Sequence, residues 1–226
     1  EECRNECFVG VILLGDCIDY GMRSNEIIQK LIKLEETNWK DRYMVNIWGN
    51  HEKLVIDKDL DRLSSERGRA MARYTARQLM TQSMDYIRTE MNQNGIQEFK
   101  IGSLQCLAVH GSLEDYYWKS IEPGNLRGEY SSYDMVFSGH SHYSHCFTCF
   151  YPINYPEMRN KKAVTFINPG SVGQPRNQNP CAQYAVLSLP SRRVDLRAVK
   201  YDVACEQNLF PDEIDVFYKT RLTRGV

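Results

Sequence analysis

The sequence lacks any long apolar run. The longest extends from Phe8 to Leu14, far short of the roughly 20 apolar residues that a membrane-spanning helix requires. It also lacks an excess of charge of either sign, because 28 basic and 29 acidic residues give a net charge of −1. We therefore expect no membrane partner, and the missing basic surface argues against a nucleic-acid partner.

Paired cysteine motifs are scarce as well. Eight cysteines are scattered along the chain, and Cys146 and Cys149 form its one C-x-x-C pair. Such a pair alone could bind zinc or act in redox chemistry, but no second pair completes a zinc site. Residues 145–151 alternate like a strand, which would point the two cysteines in different directions. We interpret the cysteines as packed thiols in a reducing cytoplasm.

Linkers, repeats and low-complexity tracts are also absent, so residues 1–226 are expected to form a single domain. Strands are predicted at Phe8–Leu14 and Tyr43–Trp48, with a helix that begins at Ser24 between them. This order predicts a parallel, right-handed βαβ unit. A charged helical region is predicted from Lys53 to Asn94 with Gly95 as its stop, followed by a hairpin around Gly102-Ser103 and further short strands.

Four glycine-containing segments each follow a predicted strand. Because loops beyond the carboxyl ends of strands meet at one rim of an α/β sheet, we expect these segments to lie together. Glycine allows the sharp turns that such convergence needs. The segments are residues 15–21 (GDCIDYG), 49–52 (GNHE), 109–111 (VHG) and 139–142 (GHSH).

Together, the four segments offer a mixture of oxygen and nitrogen ligands. Such a mixture suits Mn²⁺, Fe or Zn²⁺ better than Ca²⁺, which prefers oxygen. Each segment alone is weak evidence, since a histidine after a strand is commonly a hydrogen-bonded core residue. However, four of the five histidines fall in these segments, which favours one joint site. The candidate side chains are Asp16, Asp19, Asn50, His51, His110, His140 and His142.

In this order, the motifs G-D-x-x-D, G-N-H-E, H-G and G-H-x-H resemble those of the calcineurin-like metallophosphoesterase superfamily. Residues 15–21 and 168–176 are similar to its small bacterial phosphodiesterase-like branch. The resemblance implies a four-layer α/β sandwich, with two mixed β-sheets flanked by helices. It also implies a phosphodiesterase or phosphatase that acts on small phosphate esters, nucleotides among them. Two divalent ions would be its cofactors (Mn²⁺, Fe²⁺/³⁺ or Zn²⁺), with Mn²⁺ the expected ion in vitro.

The resemblance also implies a set of metal ligands. Asp16 would bridge the two ions. Asn50, His110 and His140 would complete the second metal site, and His142 would reach the first metal. Two ions about 3.5–4 Å apart can activate a bridging water to hydroxide near neutral pH.

Three further residues receive roles by the same resemblance. His51 would donate a proton to the leaving oxygen, and Asp19 would orient it. Arg176 would contact the substrate phosphate, although a solvated loop residue is an equally open interpretation. Tyr20 stands where protein Ser/Thr phosphatases of the superfamily carry an arginine, which counts against phosphoprotein substrates.

Two other functions stay open. One is a non-catalytic binding or scaffold module of the same fold, and the other is a nuclease of the same superfamily. The presence of His51 and Asp19, which a scaffold would not need, favours the enzyme. The neutral charge disfavours the nuclease.

The superfamily's D-x-H motif, which supplies the first metal with an aspartate and a histidine, is missing upstream of Asp16. We expect that the first strand and most of the first helix of the fold precede Glu1 in a longer protein; natural loss of the motif is the alternative. With Asp16 and His142 alone, the first metal would have too few ligands for tight binding.

The 226-residue chain is therefore expected to bind at most one metal ion well and to hydrolyse esters poorly. Metal analysis of the purified chain after equilibration with Mn²⁺, combined with turnover of chromogenic esters, tests this. Two tightly bound equivalents of Mn²⁺ together with full turnover would contradict the expectation.

Overall fold

A computed structural model describes residues 8–37, 42–126, 128–154, 157 and 160–226. Its first half contains the predicted strand–helix–strand unit. Strands β1 (Gly10–Leu13) and β2 (Tyr43–Asn46) pair in parallel, and helix α1 (Ser24–Thr37) lies between them in the chain. The parallel pairing and the helix start at Ser24 are thus confirmed, while both strands are shorter than predicted.

Three helices occupy the predicted helical region, namely α2 (Asn50–Asp57), α3 (Glu66–Gln78) and α4 (Thr81–Thr89). Ile87 and Met91 pack with Trp48 and Ile28 in a buried cluster that joins α4 to α1. Gly95 is not the stop of α4, which ends earlier. Instead, a Cβ atom at Gly95 would lie 2.7 Å from the Tyr117 ring, so glycine is required by close packing.

A mixed five-stranded sheet forms the centre of the second half. Its strands are β3 (Ile96–Ile101), β4 (Leu104–Val109), β5 (Met135–Ser138), β6 (His145–Pro152) and β7 (Lys161–Asn168), in the order β3-β4-β5-β7-β6. The β3–β4 hairpin around Gly102-Ser103 is confirmed. β5 is parallel to both of its neighbours, whereas the two edge strands are antiparallel to theirs.

The remaining elements are a hairpin of β8 (Ala182–Ser188) and β9 (Arg193–Val199), followed by α5 (Val203–Gln207) and α6 (Val216–Arg221). Side chains of β1, β2, β8 and β9 pack on one face of the five-stranded sheet. The expected mixed α/β sandwich with flanking helices is confirmed. Within the described part of the chain, its second layer consists of two separate two-stranded ladders instead of one mixed sheet.

Strand alternation separates the C-x-x-C cysteines as predicted, because Cys146 on β6 is exposed while Cys149 is partly buried. None of the helices in the described ranges is both long and apolar enough to cross a lipid bilayer.

Pairing between strands brings the four glycine-containing segments to one rim. Val109 and Ser138 are partners in the parallel β4–β5 ladder, so the residues that follow them emerge side by side. The Gly139 amide donates a hydrogen bond to the His110 carbonyl at 2.9 Å. On the neighbouring layer, the Ile47 amide donates to the Leu13 carbonyl at 3.2 Å, which aligns the ends of β1 and β2.

The opposite face of the five-stranded sheet depends on Phe166. Its side chain is 0% exposed, and its ring stacks on Phe147 with a centroid distance of 5.1 Å. We predict that Phe166→Ala lowers the free energy of unfolding by about 3–5 kcal/mol, since the cavity cannot collapse within a packed sheet. Urea denaturation measures this.

Phe150 on β6 provides the matched control, because it is 64% exposed. Phe150→Ala should change the free energy of unfolding by less than about 1 kcal/mol. Equal losses for the two variants would show that this face is not a packed core.

Candidate metal centre

Two glycines allow the loop after β1 to touch the loop after β2. A Cβ atom at Gly15 would lie 2.2 Å from the Gly49 amide nitrogen, and one at Gly49 would lie 2.1 Å from Asp16 Oδ1. No larger residue fits either position without moving backbone. This close approach lets Asp16 Oδ1 accept a hydrogen bond from the His51 amide at 3.0 Å.

The Glu52 carboxylate is hydrogen-bonded to both of these loops. It accepts hydrogen bonds from the amides of Gly49 (2.7 Å), Asp16 (2.8 Å) and Cys17 (2.7 Å). The side chain is 0% exposed. Burial and the nearby charge of Asp16 raise the pKa of Glu52, while the amide donors oppose that rise. The sequence analysis gave Glu52 no role. Its position in the first turn of α2, where backbone amides lack helical partners, could have indicated that its carboxylate accepts hydrogen bonds.

Left-handed backbone is concentrated at this rim. Among the described residues other than glycine, nine have a positive φ, and five of those belong to the site segments. Such conformations cost on the order of 1–3 kcal/mol each and persist only where the surroundings enforce them. The five are Asp16, Asp19, Tyr20, His140 and His142.

Four of the predicted metal ligands come together. Ligand atoms of Asp16, His110 and His140 all lie within 4.8 Å of one another. Asn50 Oδ1 lies 3.0 Å from His110 Nε2 and 2.9 Å from His140 Nδ1. Asp16 Oδ2 is buried without a hydrogen-bond partner. This donor set of two oxygens and two nitrogens, with one orphaned carboxylate oxygen, fits a divalent transition-metal ion.

The tautomer of His110 is determined by its backbone contact. Its Nδ1–H donates to the Leu14 carbonyl oxygen at 2.6 Å, so that, when the ring is neutral, Nε2 is the unprotonated nitrogen and faces the centre. Burial lowers the pKa of His110, but the Asp16 carboxylate raises it by more. Conversely, His110 and His51 hold the pKa of Asp16 below its usual range despite its burial, so this carboxylate stays ionised.

His142 is not a member of the group formed by Asp16, His110 and His140. Its Nδ1–H donates to the Gln174 carbonyl oxygen at 2.6 Å, which leaves Nε2 as the available ligand atom. Burial and the positive charge of Arg176 lower the pKa of His142 to about 3. Burial and His110 lower the pKa of His140 to about 4. Both rings are therefore neutral at pH 7, as metal binding requires.

His51 and Asp19 form a buried pair beside the metal ligands. His51 Nδ1 lies 2.8 Å from Asp19 Oδ2, and the Thr75 hydroxyl donates to Asp19 Oδ1 at 2.7 Å. Burial lowers the pKa of His51, but Asp16 and Asp19 raise it to about 9 overall. The Tyr20 ring packs edge-on against His51, with centroids 4.3 Å apart. Sequence reasoning missed the roles of Thr75 and Tyr20.

Arg176 lies beside the two histidines of the fourth segment. Its amide donates to the His142 carbonyl at 3.4 Å, and its charge lowers the pKa of both His140 and His142. The side chain is partly buried, and Nε is shielded from solvent without a hydrogen-bond partner. His145 lies on β6 and is not a member of the ligand group.

Glu52 provides a test of how the centre is organised. We predict that Glu52→Gln lowers the free energy of unfolding by about 2 kcal/mol and weakens metal binding, because an NH₂ group replaces one of the two carboxylate oxygens that accept from four backbone amides. Urea denaturation and calorimetric metal titration measure the two effects. Glu36→Gln, at an exposed position on α1, is the control, and equal behaviour of the two variants would refute the organising role.

Comparison with known proteins agrees with this geometry. The model of the calcineurin-like phosphoesterase superfamily domain matches residues 1–192. An uncharacterized protein from Methanocaldococcus jannaschii is 21% identical over 215 residues, which cover 89% of this chain and 80% of that protein.

Two solved structures share the fold. A metallophosphoesterase from Sphaerobacter thermophilus has 24% identity and a TM-score of 0.66, over 98% of this chain and 90% of that one. A hypothetical protein from Pyrococcus horikoshii has 20% identity and a TM-score of 0.75, over 100% and 89%. Since the family model spans most of the sequence, the chain belongs to the calcineurin-like phosphoesterase superfamily.

Proposed function

We propose that the protein hydrolyses small phosphate esters, as a phosphodiesterase or phosphatase, at a divalent-metal centre. One observation carries this proposal: Asp16 Oδ2 lies 3.4 Å from His110 Nε2 in the metal-ligand group, and Asp16 Oδ1 accepts a hydrogen bond from the His51 amide. A single carboxylate therefore links a cation site to a buried His–Asp pair. Membership of the superfamily supports phosphoester hydrolysis in general, and the roles of individual residues are our inference.

The metal ligands in this proposal are Asp16, Asn50, His110 and His140, with His142 contributing to a second ion. Bound Mn²⁺, Fe or Zn²⁺ would supply positive charge for the phosphoryl oxygens and lower the pKa of water near the phosphorus. The protein contributes neutral imidazoles and an amide oxygen, which add ligands without adding negative charge. The centre therefore stays cationic towards a phosphate ester.

His51 is the proton donor to the leaving oxygen. Asp19 accepts a hydrogen bond from the ring and raises the pKa of His51, which favours the protonated form independently of Asp16. Asp19 accepts the Nδ1–H, so the hydrogen on Nε2 is the one transferred when the ester bond breaks. Thr75 fixes the second oxygen of Asp19 and thereby the orientation of the pair. The Tyr20 ring covers His51 and limits the access of water to it.

Arg176 is the residue we assign to the substrate phosphate. Its charge acts on His140 and His142, and its Nε has no protein partner, so a phosphoryl oxygen beside the metal ligands can accept from it. Tyr20, which replaces the arginine of protein Ser/Thr phosphatases, argues for small esters over phosphoproteins.

Two substitutions separate metal binding from proton donation. Asn50→Ala is expected to reduce metal content and activity together, since it removes a ligand. His51→Ala is expected to keep the metal and to lower kcat by about 10²–10⁴, the usual contribution of a general acid. Metal analysis and initial rates on chromogenic mono- and diesters in Mn²⁺ measure both, with the 226-residue chain as reference.

His145→Ala is the matched control, because this half-buried histidine lies outside the ligand group. It should alter neither metal content nor rate. Undiminished turnover in His51→Ala would eliminate the proposed proton donor, and unchanged metal content in Asn50→Ala would eliminate the proposed ligand.

A further inference from the structure

The C-terminal helix α6 packs against the candidate site through aromatic side chains. The Tyr20 ring lies edge-on against His51, with centroids 4.3 Å apart, and stacks on Tyr218 of α6, with centroids 5.2 Å apart. Helix α6 lies beyond residues 1–192, the part that the family model matches. A segment outside that match therefore contributes to the surroundings of His51.

Tyr218 belongs to a packed core that holds its ring in place. Its side chain is 3% exposed and forms a buried cluster with Ile214 and with Met71 of α3. The Tyr20 side chain packs against this cluster. Because protein interiors are close-packed, a ring inside such a cluster keeps one orientation. The Tyr20 ring is thereby constrained through its contact with Tyr218.

Polar contacts also attach the C-terminal segment to the chain just after Tyr20. Arg23 Nε lies 2.8 Å from Glu206 Oε1 on α5. Gln207 Nε2, also on α5, donates a hydrogen bond to the Lys219 carbonyl oxygen of α6 at 2.8 Å. Helices α5 and α6 are therefore linked to each other and to the residues that follow Tyr20.

The backbone on the site side of this contact is left-handed. Asp19 has a φ of 71° and Tyr20 a φ of 55°. Residues other than glycine keep such conformations only where surrounding contacts enforce them. For Asp19 these contacts include hydrogen bonds with His51 and Thr75. For Tyr20 they include the ring contacts with His51 and Tyr218. Without the Tyr218 ring, the conformation of Tyr20, and with it that of Asp19, loses one of its constraints.

We propose that Tyr218 is a positioning residue for the proton donor His51 and acts through Tyr20, so that the C-terminal segment of residues 203–226 helps to orient the general acid. This assignment rests on the proposed function, in which His51 protonates the leaving oxygen. A general acid must lie within hydrogen-bond reach of the oxygen that it protonates. A displaced imidazole therefore slows bond cleavage while the metal ligands stay in place.

The dependence of the rate on the leaving group tests this role. An alkoxide needs a proton more than 4-nitrophenolate does, so hydrolysis of an alkyl ester depends more strongly on the general acid. In the Mn²⁺-equilibrated chain, Tyr218→Leu is expected to lower kcat about tenfold for glycerol 2-phosphate but only about threefold for 4-nitrophenyl phosphate. KM and metal content should stay unchanged, and Tyr218→Phe, which keeps the ring, should retain the wild-type rates. An equal fall in kcat for both esters would overturn the proposal.

Tyr130→Leu is the matched control for loss of packing. Tyr130 is likewise buried, at 5% exposed, and its ring contacts that of Phe166 at a centroid distance of 5.2 Å, in a different core cluster from Tyr218. This variant should lower the free energy of unfolding yet leave the ratio of the two kcat values unchanged. The same shift of the ratio in Tyr130→Leu and Tyr218→Leu would reduce the effect to general destabilisation and refute the positioning role.

A double variant shows if Tyr218 acts through His51. When Tyr218→Leu is added to His51→Ala, no further loss of kcat for glycerol 2-phosphate is expected, since the group that Tyr218 positions is already absent. A further tenfold loss would assign Tyr218 an effect that does not pass through His51, against the proposal.

Nuclear magnetic resonance separates this proposal from the proposed function, because it requires no turnover. The Tyr20 ring lies close enough to His51 to shift its imidazole proton resonances, which His51→Ala identifies among the five histidines. At constant pH these resonances should move in Tyr218→Leu and stay in place in Tyr218→Phe.

The two proposals then fail in different ways. If the resonances move in Tyr218→Leu but the chain hydrolyses no ester, the positioning of His51 stands and the proposed function fails. If esters are hydrolysed but both the resonances and the leaving-group ratio of Tyr218→Leu match the wild type, the positioning role is refuted. Circular dichroism checks that each variant folds. Tyr218→Met, whose flexible side chain fills more of the space, decides on the same measurements if Tyr218→Leu does not fold.

Discussion

A buried carboxylate, Glu52, is the contact on which the arrangement of this site depends. It accepts backbone hydrogen bonds from both the β1 loop and the first turn of α2, and so holds two chain segments 35 residues apart in one position. That contact places Asp16 against the His51 amide on one side and against His110 on the other. The strained left-handed backbone of the loop persists because these charged acceptors compensate for its cost.

The histidines held at this site differ in pKa because their neighbours differ in charge. Asp16 and Asp19 lie close to His51 and raise its pKa, whereas Arg176 and burial lower the pKa of His140 and His142. One imidazole is thus charged at neutral pH and two are neutral. Burial and neighbouring charge thus separate the proposed proton donor from two of the proposed ligands, whereas the third ligand, His110, has a pKa that Asp16 raises and would have to lose its Nε2 proton to bind a metal ion.

Much of this could be predicted from the sequence, because the relevant signals are local. Glycine-containing turns after strands predicted where Asp16, Asn50, His110 and His140 meet, and strand–helix–strand order predicted the parallel β1–β2 pair. The remainder depends on contacts between distant segments. Thr75 reaches Asp19 across 56 residues, and nothing near Thr75 in the chain indicates that partner. The separation of the second layer into two ladders depends likewise on packing against the central sheet, which strand patterns do not encode.

Tyr20 connects His51 to helix α6 through ring contacts. The Tyr20 ring contacts His51 on one side and Tyr218 of α6 on the other. A movement of α6 would therefore change the packing around the proposed proton donor. An arginine at the position of Tyr20 could bind a phosphate directly, whereas in the proposed function that role belongs to Arg176, which comes from later in the chain. The position of the proposed proton donor therefore depends on packing against α6 through Tyr20 as well as on the hydrogen bond to Asp19.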